Sequence, residues 1–251
     1  MTSGPEDRMP YSPVCGPEGP IRPAVAAPRP APVRAVLFDF SGTLFQIASY
    51  ADRIRAALPH PVGDHAMDAL LTGLEAGLSD PEVAAAQHGR DVSAAAHRRA
   101  FTTWYGSVPA LAPYAGALYE QLRTPAHWLP YADAGEALAG LADRGIAVGV
   151  VSDVGWDLRP TFARHRLDGY IGAWVHSYEH RTEKPDPLLF RHACRLLDVE
   201  PGQTLMVGDH PAKDGGGAGA GLRSYVLPSG ATPGCRRGLD AVLRLVGPAV
   251  A

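Results

Sequence analysis

Apolar residues fall along this chain in short runs of strand length, separated by stretches with helical spacing. The run "VRAVLFDF" from Val33 is almost continuously apolar and meets a carboxylate at Asp39, the pattern of a parallel strand covered on both faces. Similar runs recur at "IAVGVVS" (146–152), "TLMVGD" (204–209) and "SYVLP" (224–228). Between them lie the helical patterns "ADAGEALAGLADRG" and "DPLLFRHACRLLDV", and "GLDAVLRLV" follows near the C-terminus. Strands alternating with helices predict an α/β fold built on a doubly wound parallel sheet. Ligands of such sheets bind at the carboxyl ends of strands, where Asp39, Ser152 and Asp209 all fall.

Residues 47–130 break the alternation. They contain no convincing strand and are rich in Ala, Leu, Arg and His, so they read as an inserted helical cap. Placed just after the first strand, it would sit above the strand ends as a lid that shuts out water. The core domain is then 33–46 together with 131–251. Residues 1–32 carry a proline every few positions, which fixes backbone angles and removes amide donors, and they are expected to form a disordered leader.

Composition narrows the function. The chain has 251 residues, 46% hydrophobic and 20% charged, enough to bury a sizeable core. Its net charge of -3 and lack of a Lys/Arg run give no reason to expect nucleic acid or an anionic membrane surface, which leaves a small molecule as the expected partner. Cys15, Cys194 and Cys235 are far apart and form no CxxC pair, so they read as reduced thiols. With no apolar run near the length of a membrane span and no signal-peptide pattern, a cytoplasmic location is expected.

Four motifs in order, "FDFSGTLF", "VVSDVGWD", "EKPDPLLF" and "VGDHPAKDGGGAGAGL", resemble the four signatures of the haloacid dehalogenase-like (HAD) hydrolases, in the branch with a helical cap after the first motif. The resemblance covers about residues 33–230. It implies a Rossmann-like core and, at matching positions, the roles weighed below.

A carboxylate exposed at a strand end by a turn containing Gly42 can attack an electrophile and form a covalent intermediate that water later hydrolyses. Asp39 is that nucleophile by resemblance, and otherwise a turn cap. Ser152 would project beside it and donate to an anion, unless it caps the segment starting near Asp157. The adjoining Asp153 stands where the family often has asparagine, and is assigned with Ser152 to the substrate. Lys184 lies in the shaped loop "EKPDP", where an ammonium would neutralise both a phosphoryl group and the attacking carboxylate. Asp209 and Asp214 flank "HPAK", and carboxylates gathered beside Asp39 would repel one another unless a cation is shared. Magnesium suits that demand through hard oxygen ligands. Its expected ligands are Asp39, Asp209 and the backbone carbonyl of Ser41, with Asp214 supplementary. The glycines that follow lack the ending of a phosphate-binding loop and are expected to permit close packing.

Ser41 raises the sharpest question. Phosphatases of the family usually carry a second aspartate there, which protonates the leaving oxygen and later activates water. General acid-base catalysis is worth about 100- to 10,000-fold, and a serine hydroxyl cannot match a carboxylic acid near neutral pH. Three readings follow. A magnesium-dependent hydrolase of a small phosphorylated metabolite could work through an aspartyl-phosphate, with a good leaving group or with a proton from substrate or cap. A haloacid or other carbon-heteroatom hydrolase would also lack that aspartate, but dehalogenases of the family generally do not keep the counterpart of Asp209. A catalytically weakened phospho-ligand-binding module is the third. The first is the expectation, with Asp39, Ser41 and Lys184 at the chemistry.

Other candidates are weaker. His176 and His180 are four apart in "WVHSYEH", which does not read as helix and offers no further ligands. His210 adjoins Asp209 and could support it. Trp104, Tyr105, Tyr114 and Trp128 could line a pocket, or form the core of the insertion.

Overall fold

Every residue of Ala35–Phe38 is buried, because this strand runs down the middle of a parallel sheet with helices on both faces. The computed structural model describes residues 31–228, 230 and 234–247, and the backbone of 15–16 and 19–20. The chain divides into two units, Met1–Ala31 and Pro32–Ala251. In the first, Cys15–Gly16 pairs antiparallel with Gly19–Pro20. The expected disordered leader otherwise lies outside the described residues.

In the second unit the strands are, in chain order, Ala35–Phe38 (β1), Phe45–Ile47 (β2), Trp128–Pro130 (β3), Ala147–Ser152 (β4), Ala173–His176 (β5), Thr204–Gly208 (β6) and Arg223–Val226 (β7). Five of them form one parallel sheet in the order β5-β4-β1-β6-β7. The order reverses at β1, so the crevice at its carboxyl end is the switch point at which open α/β sheets bind ligands. Phe38 is in register with Val150 and Val207, which brings Asp39, Ser152 and Asp209 to one edge.

The pleat of β1 sends Val36 and Phe38 into one core and Leu37 into another. Ala134–Ala142 (α6) buries Leu138 and Leu141 in the first core, and Pro187–Leu196 (α9) buries Leu189 and Phe190 in the second. Helix α9 starts where sequence places it: Pro187 occupies the first turn, and the Asp186 carboxylate accepts from the Leu188 amide at 2.9 Å.

Between β2 and β3 lie the helices Tyr50–Ala57 (α1), Asp64–Gly77 (α2), Pro81–Gln87 (α3), Ala94–Gly106 (α4) and Ala115–Arg123 (α5). Both ends of this insertion are pinned by an antiparallel seam in which Phe45 faces Pro130 and Ile47 faces Trp128. Trp128–Pro130, and of Phe45–Ile47 only its last residue, fall at the margins of the segment 47–130 in which no strand was expected.

Two further departures concern the sheet. The edge strand β5 falls in "AWVH", only four residues long and so too short to show a period of its own. The last strand ends at Val226, short of the expected Pro228, since proline has no amide to give a ladder.

Candidate active site

The chain leaves β1 at Asp39 and turns at once. The Phe40 carbonyl accepts from the Leu44 and Phe45 amides, while the Phe40 ring is buried against Phe45 and Trp128. Gly42 closes the turn at φ +77°, a conformation that side chains disfavour. The turn aims the Asp39 carboxylate into a cavity of about 200 Å³. Ser41, Ser152, Asp153, Lys184, Asp209 and Asp214 line the same cavity, so the structure brings the sequence-predicted residues together.

Lys184 is the hinge of this cluster. Its ammonium donates to Asp39 Oδ1 at 2.8 Å and to Asp214 Oδ1 at 2.6 Å, with all three side chains largely shielded from water. Burial works against the charged lysine, yet Asp39, Asp214 and Asp153 outweigh it and hold its pKa above the ordinary lysine range. One positive charge cannot neutralise two carboxylates. Burial, with the charge of Asp214, pushes Asp39 up to about 6 despite Lys184. Asp209 is also raised, first by burial and then by Asp214.

Small residues make the crowding possible. A Cβ on Gly42 would fall 2.2 Å from Asp209 Oδ2, and one on Gly208 would fall 2.1 Å from the carboxyl carbon of Asp214. In the glycine-rich 3-10 segment Gly215–Ala220, a Cβ on Gly216 would lie 2.2 Å from Pro185 Cβ, so the bare backbone packs under the loop that carries Lys184. These glycines serve close packing.

Carboxylate oxygens of Asp39, Asp209 and Asp214 all lie within 4.8 Å of one another. Across the cavity, Asp39, Asp91, Asp153, Asp209 and Asp214 face Arg90, Lys184 and Lys213, a formal excess of two negative charges. Hard oxygen donors with that deficit fit a divalent cation such as magnesium. Asp214 is the most committed of the three, since its second oxygen accepts from the His210 amide at 2.9 Å.

Asp153 is already engaged: it accepts from the Lys184 amide at 2.9 Å and from the Lys213 ammonium at 2.7 Å, and so fixes the lysine loop. Ser152 is buried at the end of β4 and does not cap the following helix, Arg159–Arg164 (α7), whose start is held by Asp157. The His176 and His180 pair separates, His176 ending β5 and His180 closing a one-turn helix, Ser177–His180 (α8). Trp104 and Tyr105 lie in the core of the insertion, Tyr114 is half-buried, and Trp128 lines a cavity that adjoins the cluster.

Sequence reading missed three residues of the cavity: Arg90 and Asp91, from a 3-10 turn of the insertion, and Lys213. Asp91 is fixed by its own backbone, the amide donating to Glu183 Oε1 at 2.7 Å and the carbonyl accepting from Ser177 Oγ at 2.7 Å. Burial raises the pKa of its carboxyl despite Arg90 and Lys213, and Oδ1 makes no hydrogen bond, its contact being His97 Nε2 at 3.5 Å. No local signal marks it, because an aspartate just before a capped helix reads as an ordinary helix start.

The family model of the haloacid dehalogenase-like hydrolases matches residues 33–221, and the chain belongs to that family. It is 43% identical over 67 residues to N-acylneuraminate-9-phosphatase of Rattus norvegicus, covering 26% of this chain and 27% of that protein. It is 29% identical over 199 residues to glyceraldehyde 3-phosphate phosphatase of Methanopyrus kandleri, covering 74% and 79%. Against the first relatives it matches, the chain spans from about a quarter to about a half of their length. The L-2-haloacid dehalogenase of Xanthobacter autotrophicus superposes with a TM-score of 0.60 at 21% identity, over 85% of this chain and 98% of that one, a likeness of fold alone.

Proposed function

We propose that this chain is a magnesium-dependent hydrolase of a small phosphorylated metabolite that works through an aspartyl-phosphate on Asp39. The observation that carries the reading is the Lys184 ammonium shared by the buried carboxylates of Asp39 and Asp214, with Asp209 alongside. That arrangement keeps a nucleophilic carboxylate oriented and places an ammonium where the oxygens of an incoming phosphoryl group can share it. The phosphatase names of its relatives support the same reading. Asp39, Asp209 and the Ser41 carbonyl would hold the magnesium, with Asp214 behind them, and the ion would neutralise phosphoryl oxygens.

In the first half-reaction an Asp39 oxygen bonds to phosphorus while the ester P–O bond breaks and its electron pair stays with the leaving oxygen. That oxygen needs a proton. Ser41 cannot supply it, and the Asp91 carboxyl, buried on the insertion side of the same cavity and protonated more readily than an ordinary aspartate, can. In the second half-reaction Asp91 takes the proton back from a water that attacks phosphorus, and phosphate leaves with Asp39 restored. The insertion thus acts as a cap that contributes to the chemistry. A small-molecule substrate in the cytoplasm, with no nucleic acid or membrane partner, completes the reading. Among the described residues no helix is long and apolar enough to cross a membrane.

The test is a screen of the purified protein against phosphate esters, acyl phosphates and haloacids, with and without magnesium, following phosphate and halide separately. Magnesium-dependent phosphate release that disappears in Asp39→Asn is expected, since the amide keeps the shape but cannot attack. Dominant metal-independent halide release would overturn the reading in favour of carbon-halogen cleavage.

A further inference from the structure

Arg53 is an arginine in the wrong place for an ordinary helix. It sits on α1, yet its side chain is only 2% exposed. Its Nη1 donates to Tyr105 Oη at 3.3 Å, and the guanidinium lies 4.1 Å from the centre of the Tyr50 ring. Nε and Nη2 have no hydrogen-bond partner. Among the described residues no carboxylate forms an ion pair with it. A buried charge without a counterion is costly, and proteins almost always pair one.

The two idle nitrogens are on the same edge of the guanidinium. Their N–H bonds form the parallel fork that receives both oxygens of a carboxylate. Arg53 lines a cavity of about 200 Å³ whose walls include Phe40, Ile47, Trp128 and Trp156. That cavity shares Ser41, Ser152, Asp153, Arg90 and Asp91 with the one that holds Asp39 and Lys184. The two therefore adjoin across these shared polar residues, with Lys184 lining one cavity and the rings and the unpaired Arg53 guanidinium lining the other.

We propose that Arg53 is the substrate's anion receptor, and that the substrate is a phosphorylated carboxylic acid with an apolar or aromatic body, its carboxylate held by Nε and Nη2. The assignment of the phosphoryl end rests on the function proposed above, whereas the carboxylate end does not. The neutral phenol of Tyr105, whose pKa burial pushes up to about 12, orients the fork by accepting from Nη1. The rings of Phe40, Trp128 and Trp156 take the body of the ligand.

The two ends are tested apart. Binding of phenylacetate and of phenylacetamide to the full chain is followed by tryptophan fluorescence, in the parent, in Arg53→Met and in Asp39→Asn. Phenylacetate should bind the parent at least about tenfold more tightly than the amide, since a charged hydrogen-bonded pair is at stake. Arg53→Met should lose that preference and Asp39→Asn should keep it. Equal binding of acid and amide by the parent overturns the receptor, and that comparison needs no variant to fold. Tighter binding of benzylphosphonate than of phenylacetate, abolished in Arg53→Met, would replace the carboxylate by a second phosphate. A protein that shows the carboxylate preference but hydrolyses no phosphate ester keeps its receptor and loses its proposed reaction. If it hydrolyses esters with no gain from a carboxylate, the receptor is wrong and the reaction stands.

Discussion

The carboxylate of Asp209 occupies the space that a side chain at residue 42 would need, with Oδ2 2.2 Å from where a Cβ on Gly42 would stand. The turn that exposes Asp39 and the strand end that carries Asp209 are thus fitted backbone to carboxylate.

Gly42→Ala should therefore damage the proposed metal site more than the fold. The positive φ alone costs about 1–2 kcal/mol for a residue with a side chain, and the collision moves Asp209 or the turn. Calorimetry should show magnesium binding weakened by about tenfold or more, as expected when a ligand loses its support. Unchanged affinity in a folded variant would remove Asp209 from the site.

Lys184→Met should be destabilising by about 3–5 kcal/mol, because it strands Asp39 and Asp214 as buried, like-charged neighbours. Denaturant unfolding at neutral pH measures this. Added magnesium should recover part of the loss if the cation sits among the same carboxylates. A variant as stable as the parent would mean that the lysine does not compensate them.

Asp91→Asn should slow hydrolysis of alkyl phosphates by about 100-fold or more while sparing acyl phosphates, whose leaving groups need no proton. In the parent, the rate for alkyl esters should fall as pH rises through the raised pKa of Asp91, because the donor is its protonated form. The variant should lack that limb, and Ser41→Asp added to it should restore part of the rate. An unaltered dependence of log rate on leaving-group pKa would assign the proton to another group.

His97 predicts an acid limb in stability. Burial, with Arg90 and Arg123, lowers its pKa from 6.5 to about 3 even though its Nε2 lies 3.5 Å from Asp91 Oδ1, and its Nδ1 lies 3.1 Å from Tyr119 Oη. The unfolded chain then binds more protons below pH 6.5, so the contribution is whole above that pH and is lost as pH falls toward 3. The slope is about 1.4 kcal/mol per pH unit. Thermal unfolding of His97→Gln across this window should show a shallower decline than the parent. Parallel curves would place the limb elsewhere.

Much of the core was legible because its signals are local. A parallel strand buried on both faces must be nearly all apolar, so β1, β4 and β6 announce themselves, and the polar residue that ends each one marks the ligand edge. Asp39, Ser152 and Asp209 could be placed there from pattern alone. Edge strand β5 and the short seam of β2 and β3 could not, since what defines them is a neighbour rather than a period.

Tertiary structure decided which charges meet. Lys184 and Asp39 are 145 residues apart in the chain, and their 2.8 Å contact depends on β1, the loop before α9 and the bare backbone at Gly216 arriving together. Asp91 looks like a helix start and Arg53 like one more charge on an amphipathic helix, until packing removes the water from both. Desolvation is a property of everything that surrounds a group, and no stretch of sequence contains it. The chemistry a carboxylate or a guanidinium can do was written in residue type; whether it is idle, paired or held ready was settled by what the fold packed against it.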